Sequence, residues 1–247
     1  MTLRRPPAVR AFVIPDLVGA LTGFALLALV GAPLAGRSRL RTEQALCSTH
    51  LRAVGQASTR FAHENNEQFP SMNGGLWPWD MPAGAANRLI ENGATRRDLY
   101  CPSVTQPDRN ERWRFTSGST NDLANPEVGF RVAGYQFAFA GAGRVQTTNL
   151  TESLRPKAWT INGVAVNPPL SDRVIAADAI LSQGADEANR ANNRFVGIDG
   201  GLGKHDSAHL AGDLPAGGNL LMADGHVDWR RFSKMRVRTV SSPSFWW

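Results

Sequence analysis

"RAFVIPDLVGALTGFALLALVGAPLAG", residues Arg10 to Gly36, decides how the chain is organised. From Leu17 to Ala35 it carries no charge. About 19 helical residues rising roughly 1.5 Å each come close to the ~30 Å hydrocarbon core of a bilayer, so a membrane-crossing helix is expected over residues 12–36. Asp16 lies near its start. A carboxylate there is costly unless it has a partner or reaches the headgroups. A cleavable secretory signal fits poorly, because Pro33 falls where a small residue is wanted for a cut after Ala35 and because Asp16 interrupts the apolar region. An uncleaved anchor, with Asp16 snorkelling to the headgroups, fits better but gives the acid no purpose.

Past Gly36 the pattern turns amphipathic. Leu40, Cys47, Leu51, Val54, Ala57 and Phe61 fall near one helical face, with Arg41, Glu43, Arg52 and Arg60 on the others. One helix is therefore predicted to run on from the membrane as a stalk over residues 37–66. Its end is signalled by "ENNEQFPSMNGG", where Asn, Pro and Gly cluster. Pro33 is expected to bend the rod, and Gly19 with Gly23 forms a GxxxG step that permits close helix contact.

Residues 67–247 read as a loop-rich α+β head. "ANRLIENGA" is a short helix, "VAGYQFAFAGAG" alternates like a strand, and "DRVIAADAI" reads as a buried one. In "GGNLLMADGHVDWRRF" an apolar strand meets Asp224-Gly225 and then the alternating Val227, Trp229 and Phe232. Asp-Gly between such runs is a strong hairpin signal, since Gly accepts the positive φ of a tight turn. "LSQGADEANRANNR" and "TSGSTNDLANPE" are expected to be exposed loops.

The chain has 27 basic and 21 acidic side chains for a net +6, but its arginines are scattered, with no aromatic-interleaved basic stripe, so no nucleic-acid partner is expected. Cys47 and Cys101 are too far apart for a CxxC motif, and an exported context favours their pairing. Neither a GxSxG elbow nor a Gly-rich phosphate loop occurs, and Cys47 lies on an apolar helical face, so a structural thiol or half-cystine is expected there and no catalytic residue is assigned. Asp199, Asp206, Asp213 and Asp224 are candidate ligands for calcium, accompanied by His205, His209, His226 and Asp228; otherwise no cofactor is expected. His205 and His209 are four apart, but Gly-rich surroundings argue against a helix and no HExxH follows. The competing account is a turn-rich segment whose acids cap turns. Trp77, Trp79, Phe245, Trp246 and Trp247 are read as packing within the head, with a sugar-stacking surface as the alternative.

Taken in order, these pieces resemble the prepilin-like, pseudopilin-type proteins of planctomycete and verrucomicrobial bacteria, which end in an H-X9-DG motif. A basic leader over residues 1–11 ends at Ala11, Phe12 opens the apolar run, and Asp16 stands where that family has Glu. Pro33 matches its helix-bending proline, "ALCSTHLRAVGQASTRFAHENNEQFP" its cysteine-containing helix, and "LYCPS" its second cysteine segment. "GGNLLMADGHVDW", with Asn219, Asp224, Gly225 and His226, is similar to the terminal motif, its histidine displaced upstream to His209. Ala11 replaces the family's Gly and Val13 its usual Thr.

The resemblance implies cleavage between Ala11 and Phe12 by a prepilin peptidase, methylation, and a Phe12 ammonium within a turn of Asp16. In a fibre of packed helices a neighbour's carboxylate neutralises that charge. It also implies a pilin-like fold, a non-enzymatic subunit of a type II secretion or type IV pilus-like assembly, and an inner-membrane location with the N-terminus cytoplasmic and the head in the periplasm or envelope. Other pilin-like subunits and the membrane are then its partners. The alternative is a membrane-tethered binding module for carbohydrate or an envelope protein, and a metal-dependent hydrolase ranks third.

Overall fold

The structure, a computed structural model, describes residues 14–104, 108–113, 115–116, 119–120, 129–155, 159–161, 164–200 and 203–247, with backbone alone at 14–17, 20, 23–37, 115–116, 119–120, 159–161 and 164–166. The Ala11–Phe12 junction and the side chain of Asp16 lie outside the described residues. Two compact units divide the chain, Met1–Arg41 and Thr42–Trp247. Helix α1, Ile14–Glu64, contributes to both. Within the first unit, Val18 and Leu21 are 54% and 62% exposed. Among the described residues no helix is long and apolar enough to cross a membrane; most of the apolar run lies in the stretch given as backbone alone.

The second unit is mixed helix and small antiparallel sheets. Along its share of α1, Cys47, Leu51, Val54 and Ala57 are buried, as the amphipathic spacing requires. The helix stops where "ENNE" offers poor helix formers and a side chain that competes for the backbone: Asn65 Nδ2 donates to the Phe61 carbonyl at 2.8 Å. Asn66 and Glu67 then take left-handed conformations, with φ of 54° and 64°.

Strand β1 (Asp80–Pro82) leads directly into α2 (Ala83–Glu91), whose buried face is Ala83, Ala85, Ala86 and Leu89. Strand β2 (Phe130–Val132) pairs with β1 and with Phe115–Thr116 in a peripheral sheet. The central sheet is built from β3 (Tyr135–Phe137), β4 (Val174–Asp178), β5 (Gly217–Met222) and β6 (Val227–Arg231) in the order β6-β5-β4-β3, every neighbour antiparallel. Strands β4 and β5 are buried at every residue, so both faces of the sheet are covered. Helix α1 covers it at Gly55: a Cβ there would stand 2.8 Å from Leu221 Cδ1, so a larger residue would make the end of the Leu221 side chain shift.

The single alternating strand expected over "VAGYQFAFAGAG" is instead split between two sheets at Ala133 and Gly134, and residues 131–139 are buried without alternation. The cause is a close backbone approach. A Cβ on Gly134 would lie 2.8 Å from both Tyr100 Cα and Cys101 N, while the Gly134 amide donates to the Leu99 carbonyl at 2.9 Å. Phe245, Trp246 and Trp247 are at most 3% exposed, which removes them as a sugar-stacking surface. Instead Trp246 Nε1 donates to Ser182 Oγ at 2.7 Å, and Gln136 Nε2 donates to the Trp246 carbonyl at 2.9 Å.

Candidate functional site

The hairpin of β5 and β6 turns through Ala223, Asp224 and Gly225, one residue longer than the Asp-Gly pair alone, with the Gly225 amide donating to the Met222 carbonyl and Gly225 at φ 90°. Asp224 Oδ1 accepts from the His226 amide at 3.1 Å and lies 2.6 Å from His226 Nδ1, while His226 Nε2 reaches Asp228 at 3.3 Å. Burial draws the His226 pKa down, but the bonds and charges of Asp224 and Asp228 outweigh it, so the value sits above the ordinary one.

Of the remaining calcium candidates, Asp199 and Asp206 are met locally. Asp199 pairs with Lys204, whose hydrogen bond and charge hold its carboxyl below the usual range, and Arg194 stands 3.7 Å away. Asp206 Oδ1 accepts from the Gly197 amide at 2.8 Å, and Asp213 is exposed. Among the described residues these four carboxylates form no donor cluster. His205 is 1% exposed and packs at a tilt against Trp79, ring centroids 4.4 Å apart, its Nδ1 3.3 Å from Arg112 Nη1 and its Nε2 3.1 Å from the Gly200 carbonyl. Burial, followed by the Arg112 charge, pulls its pKa down to about 4, so the ring is neutral at pH 7 and its Nε2–H donates to Gly200.

One donor cluster does form among the described residues: Cys47, Cys101, Asp178 and His209, all buried, each offering an atom within 4.8 Å of the others. Four segments bring them together. Cys47 comes from α1, and Cys101 follows a turn of 3-10 helix at Arg96–Leu99 that is held by a capping box between Thr95 and Asp98. Asp178 ends β4, and His209 sits between the two-residue strands Lys204–His205 and Leu210–Ala211 at a left-handed φ of 52°. A non-glycine residue holds that conformation only where its surroundings impose it.

Cys47 and Cys101 form a disulfide with a Cα–Cα distance of 5.2 Å. Beside it, Asp178 Oδ2 lies 2.8 Å from His209 Nε2 and accepts from the Asn219 amide at 2.6 Å and from Asn219 Nδ2 at 2.9 Å. Both the aspartate and the histidine side chains are 0% exposed. Asn219 Nδ2 also donates to the Gln44 carbonyl at 3.1 Å, a second tie to α1. Cys101 Sγ is 3.5 Å from His209 Nε2 and 2.9 Å from Ser103 Oγ, and the His209 ring meets Trp229 edge-on at 5.1 Å. Tyr135 donates to the carbonyls of Cys47 and Tyr100 at 3.4 Å; burial, then the Asp178 charge, raises its pKa well above the ordinary value. Asp178 Oδ1 and His209 Nδ1 are buried without a hydrogen-bond partner.

The cluster therefore unites the two cysteines with His209 and Asn219 of the terminal motif, whereas Asp224, Gly225 and His226 remain at the hairpin tip. Asp178 escaped the sequence reading. The signal was present, since an acid within the apolar "DRVIAADAI" raises the same question as Asp16 within its own run. With every side chain sealed from solvent, the cluster has no opening for a substrate. Compared with known protein families, with curated proteins and with solved structures, the chain matches none.

Proposed function

We propose that the chain is a pseudopilin-like structural subunit of a type II secretion or type IV pilus-like envelope assembly, anchored in the inner membrane with its head in the periplasm or cell envelope. What supports this reading above all is one helix, Ile14–Glu64, that carries the apolar run and also supplies core residues to the α+β unit. The disulfide and Asn219 fasten that helix to the head, as a subunit that transmits load between anchor and head requires. Val18 and Leu21, exposed in a single chain, are left for lipid or for neighbouring subunits to cover. In such a fibre the subunit transports or assembles and catalyses nothing. Co-expression with a prepilin peptidase followed by mass spectrometry of the mature chain tests it: a methylated Phe12 at the N-terminus is expected, and a chain still beginning at Met1 or Thr2 overturns the pilin-like role.

One observation favours the tethered binding module instead. An open pocket of about 390 Å³ is lined by Arg173, Arg230, Arg238, Asn149 and Trp247. Arg173 donates to the Arg155 carbonyl at 2.9 Å, and Arg238 donates to Asn149 Oδ1 at 3.3 Å and to a main-chain oxygen of Trp247 at 3.1 Å; Asp172 also stands in the wall, where the three guanidiniums outnumber its carboxylate. Such a site suits an acidic saccharide; Arg230→Ala is expected to abolish that binding if the module reading holds.

A further inference from the structure

We infer that reducing the Cys47–Cys101 bond converts the buried cluster into a structural zinc site with Cys47, Cys101, His209 and Asp178 as its four ligands. This does not rest on the pilus reading. Two thiolates, an imidazole and a carboxylate are the donors zinc takes, and soft sulfur selects it over calcium or magnesium. In a tetrahedral site with bonds of about 2.0–2.3 Å, ligand atoms stand roughly 3–4 Å apart. Here His209 Nε2 stands 3.5 Å from Cys101 Sγ, inside that range, and 2.8 Å from Asp178 Oδ2, a hydrogen-bond distance below it, with all four donors inside 4.8 Å. Once reduced, the sulfurs must separate from a bond of about 2 Å to roughly 3.7 Å, and Asp178 and His209 must open from their contact, for the four donors to reach that spacing.

Two further observations point to a ligand. Asp178 Oδ1 is sealed from water with no partner, a free carboxylate oxygen beside the Oδ2 that Asn219 holds, although such an orphaned group is costly. Outer contacts of the kind that orient ligands are also in place: Asn219 grips the Asp178 carboxylate with two donors, and Ser103 Oγ reaches both Cys101 Sγ and the His209 amide. All four positions are filled by protein, which marks a structural site and leaves none open for catalysis.

The chemistry balances with a dithiol reductant. The dithiol gives two electrons and two protons to the disulfide, closes to its own disulfide, and leaves Cys47 and Cys101 as thiols. Zinc then displaces both thiol protons to solvent. Two thiolates, one carboxylate and a neutral imidazole around Zn²⁺ leave one net negative charge, the same as a Cys₃His site.

The test uses the full chain in detergent, either oxidised or reduced with dithiothreitol that is removed under nitrogen, then supplied with zinc and desalted. One zinc per reduced chain and none per oxidised chain is expected. Cobalt as a probe should give the reduced chain a thiolate-to-metal charge-transfer band together with tetrahedral visible absorption. His209→Gln should weaken zinc binding by more than about 100-fold, beyond the roughly 10–100-fold expected for the supporting Asn219→Ala, while Asp199→Asn leaves it unchanged. Should reduction loosen the fold, zinc is expected to restore its near-ultraviolet circular dichroism. Zinc uptake that is absent after reduction or equal in the oxidised chain, a cobalt spectrum without sulfur ligation, or a reduced chain that zinc does not refold would each overturn the site. If His209→Gln does not fold, stoichiometry and the cobalt spectrum of the unsubstituted chain decide alone.

Discussion

The buried cluster around Asp178 and the acids at Asp199, Asp206 and Asp224 hold the same kinds of side chain and satisfy them in opposite ways. Along the segment, three of the acids answer to a group within nine positions: Asp199 to Lys204, Asp206 to the Gly197 amide, Asp224 to His226. In the buried cluster the partners lie at positions 47, 101, 178, 209 and 219 and meet only because the fold gathers them. A crowd of acids in sequence thus marks local turns here, while the donor set capable of holding a metal is scattered along the chain. Energetically the contrast is between exposed pairs worth about 0–1 kcal/mol and buried groups whose loss costs several.

The largest blow to the buried side of this contrast is removal of its covalent tie. Closing a loop across a sequence separation of 54 residues is worth about 4 kcal/mol in the chain-entropy model. The double variant Cys47→Ser, Cys101→Ser should therefore lose about that much in urea unfolding. A loss below about 1 kcal/mol would mean that the helix is held by packing alone.

Buried titratable groups sharpen the contrast through pH. Burial pushes Asp80 up to about 6, against the lowering bonds from the Trp77 and Leu76 amides and the Arg144 charge. Its contribution to stability is full below about 3.8 and is lost as pH rises through 6. His205 runs the other way: with a folded pKa near 4, its contribution is full above 6.5 and is lost as pH falls towards 4. Each displacement is worth about 3 kcal/mol between its limits, so the two nearly offset one another between pH 4 and 6.5. Asp80→Asn keeps an acceptor for the Trp77 amide and leaves His205 unopposed. That variant should lose about 3 kcal/mol between pH 6.5 and 4 relative to the parent chain; parallel pH profiles would show that the two groups are not shifted as described.

Asp178→Asn is expected to cost about 2 kcal/mol, since a hydrogen bond to a charged group is worth about 1.5–3. An amide in that place cannot serve the donors of both Asn219 and His209 as a carboxylate does. Unfolding measured in the oxidised chain isolates this loss from any metal. A cost near zero would put the stabilisation in the disulfide and deny the polar partners a share.

Much of the frame was legible from residue spacing. The buried face Cys47, Leu51, Val54, Ala57, the short helix around "ANRLIE", the buried strand "VIAAD" and the final hairpin all follow from periodicity and turn chemistry. The split at Gly134 was not legible, because it depends on the backbone of Tyr100 and Cys101 arriving from elsewhere. The cluster was half legible. Its cysteines, His209 and Asn219 stood out, but Asp178 looked like one letter in an apolar strand until three donors converged on its Oδ2.

The smallest effects belong to the hairpin tip. Gly225 has φ 90° and no atom within 4 Å of where a Cβ would stand, so Gly225→Val costs only the left-handed backbone that a β-branched residue resists, about 1 kcal/mol or slightly more. Asp224→Asn should cost less than about 0.5 kcal/mol. Asn keeps an oxygen that can accept from the His226 amide, and the ionic contact it removes is exposed to solvent. The raised His226 pKa adds stability that is complete below about 6.5 and fades as pH rises through the folded value, so the small loss should be seen at pH 6 and vanish at pH 9. Calcium separates a turn from a metal site: if Asp224 serves the turn, the melting temperatures of the parent chain and Asp224→Asn are equally insensitive to millimolar calcium. A calcium-dependent rise in the parent chain that Asp224→Asn abolishes would move this carboxylate from the locally satisfied side of the comparison to the ligand side.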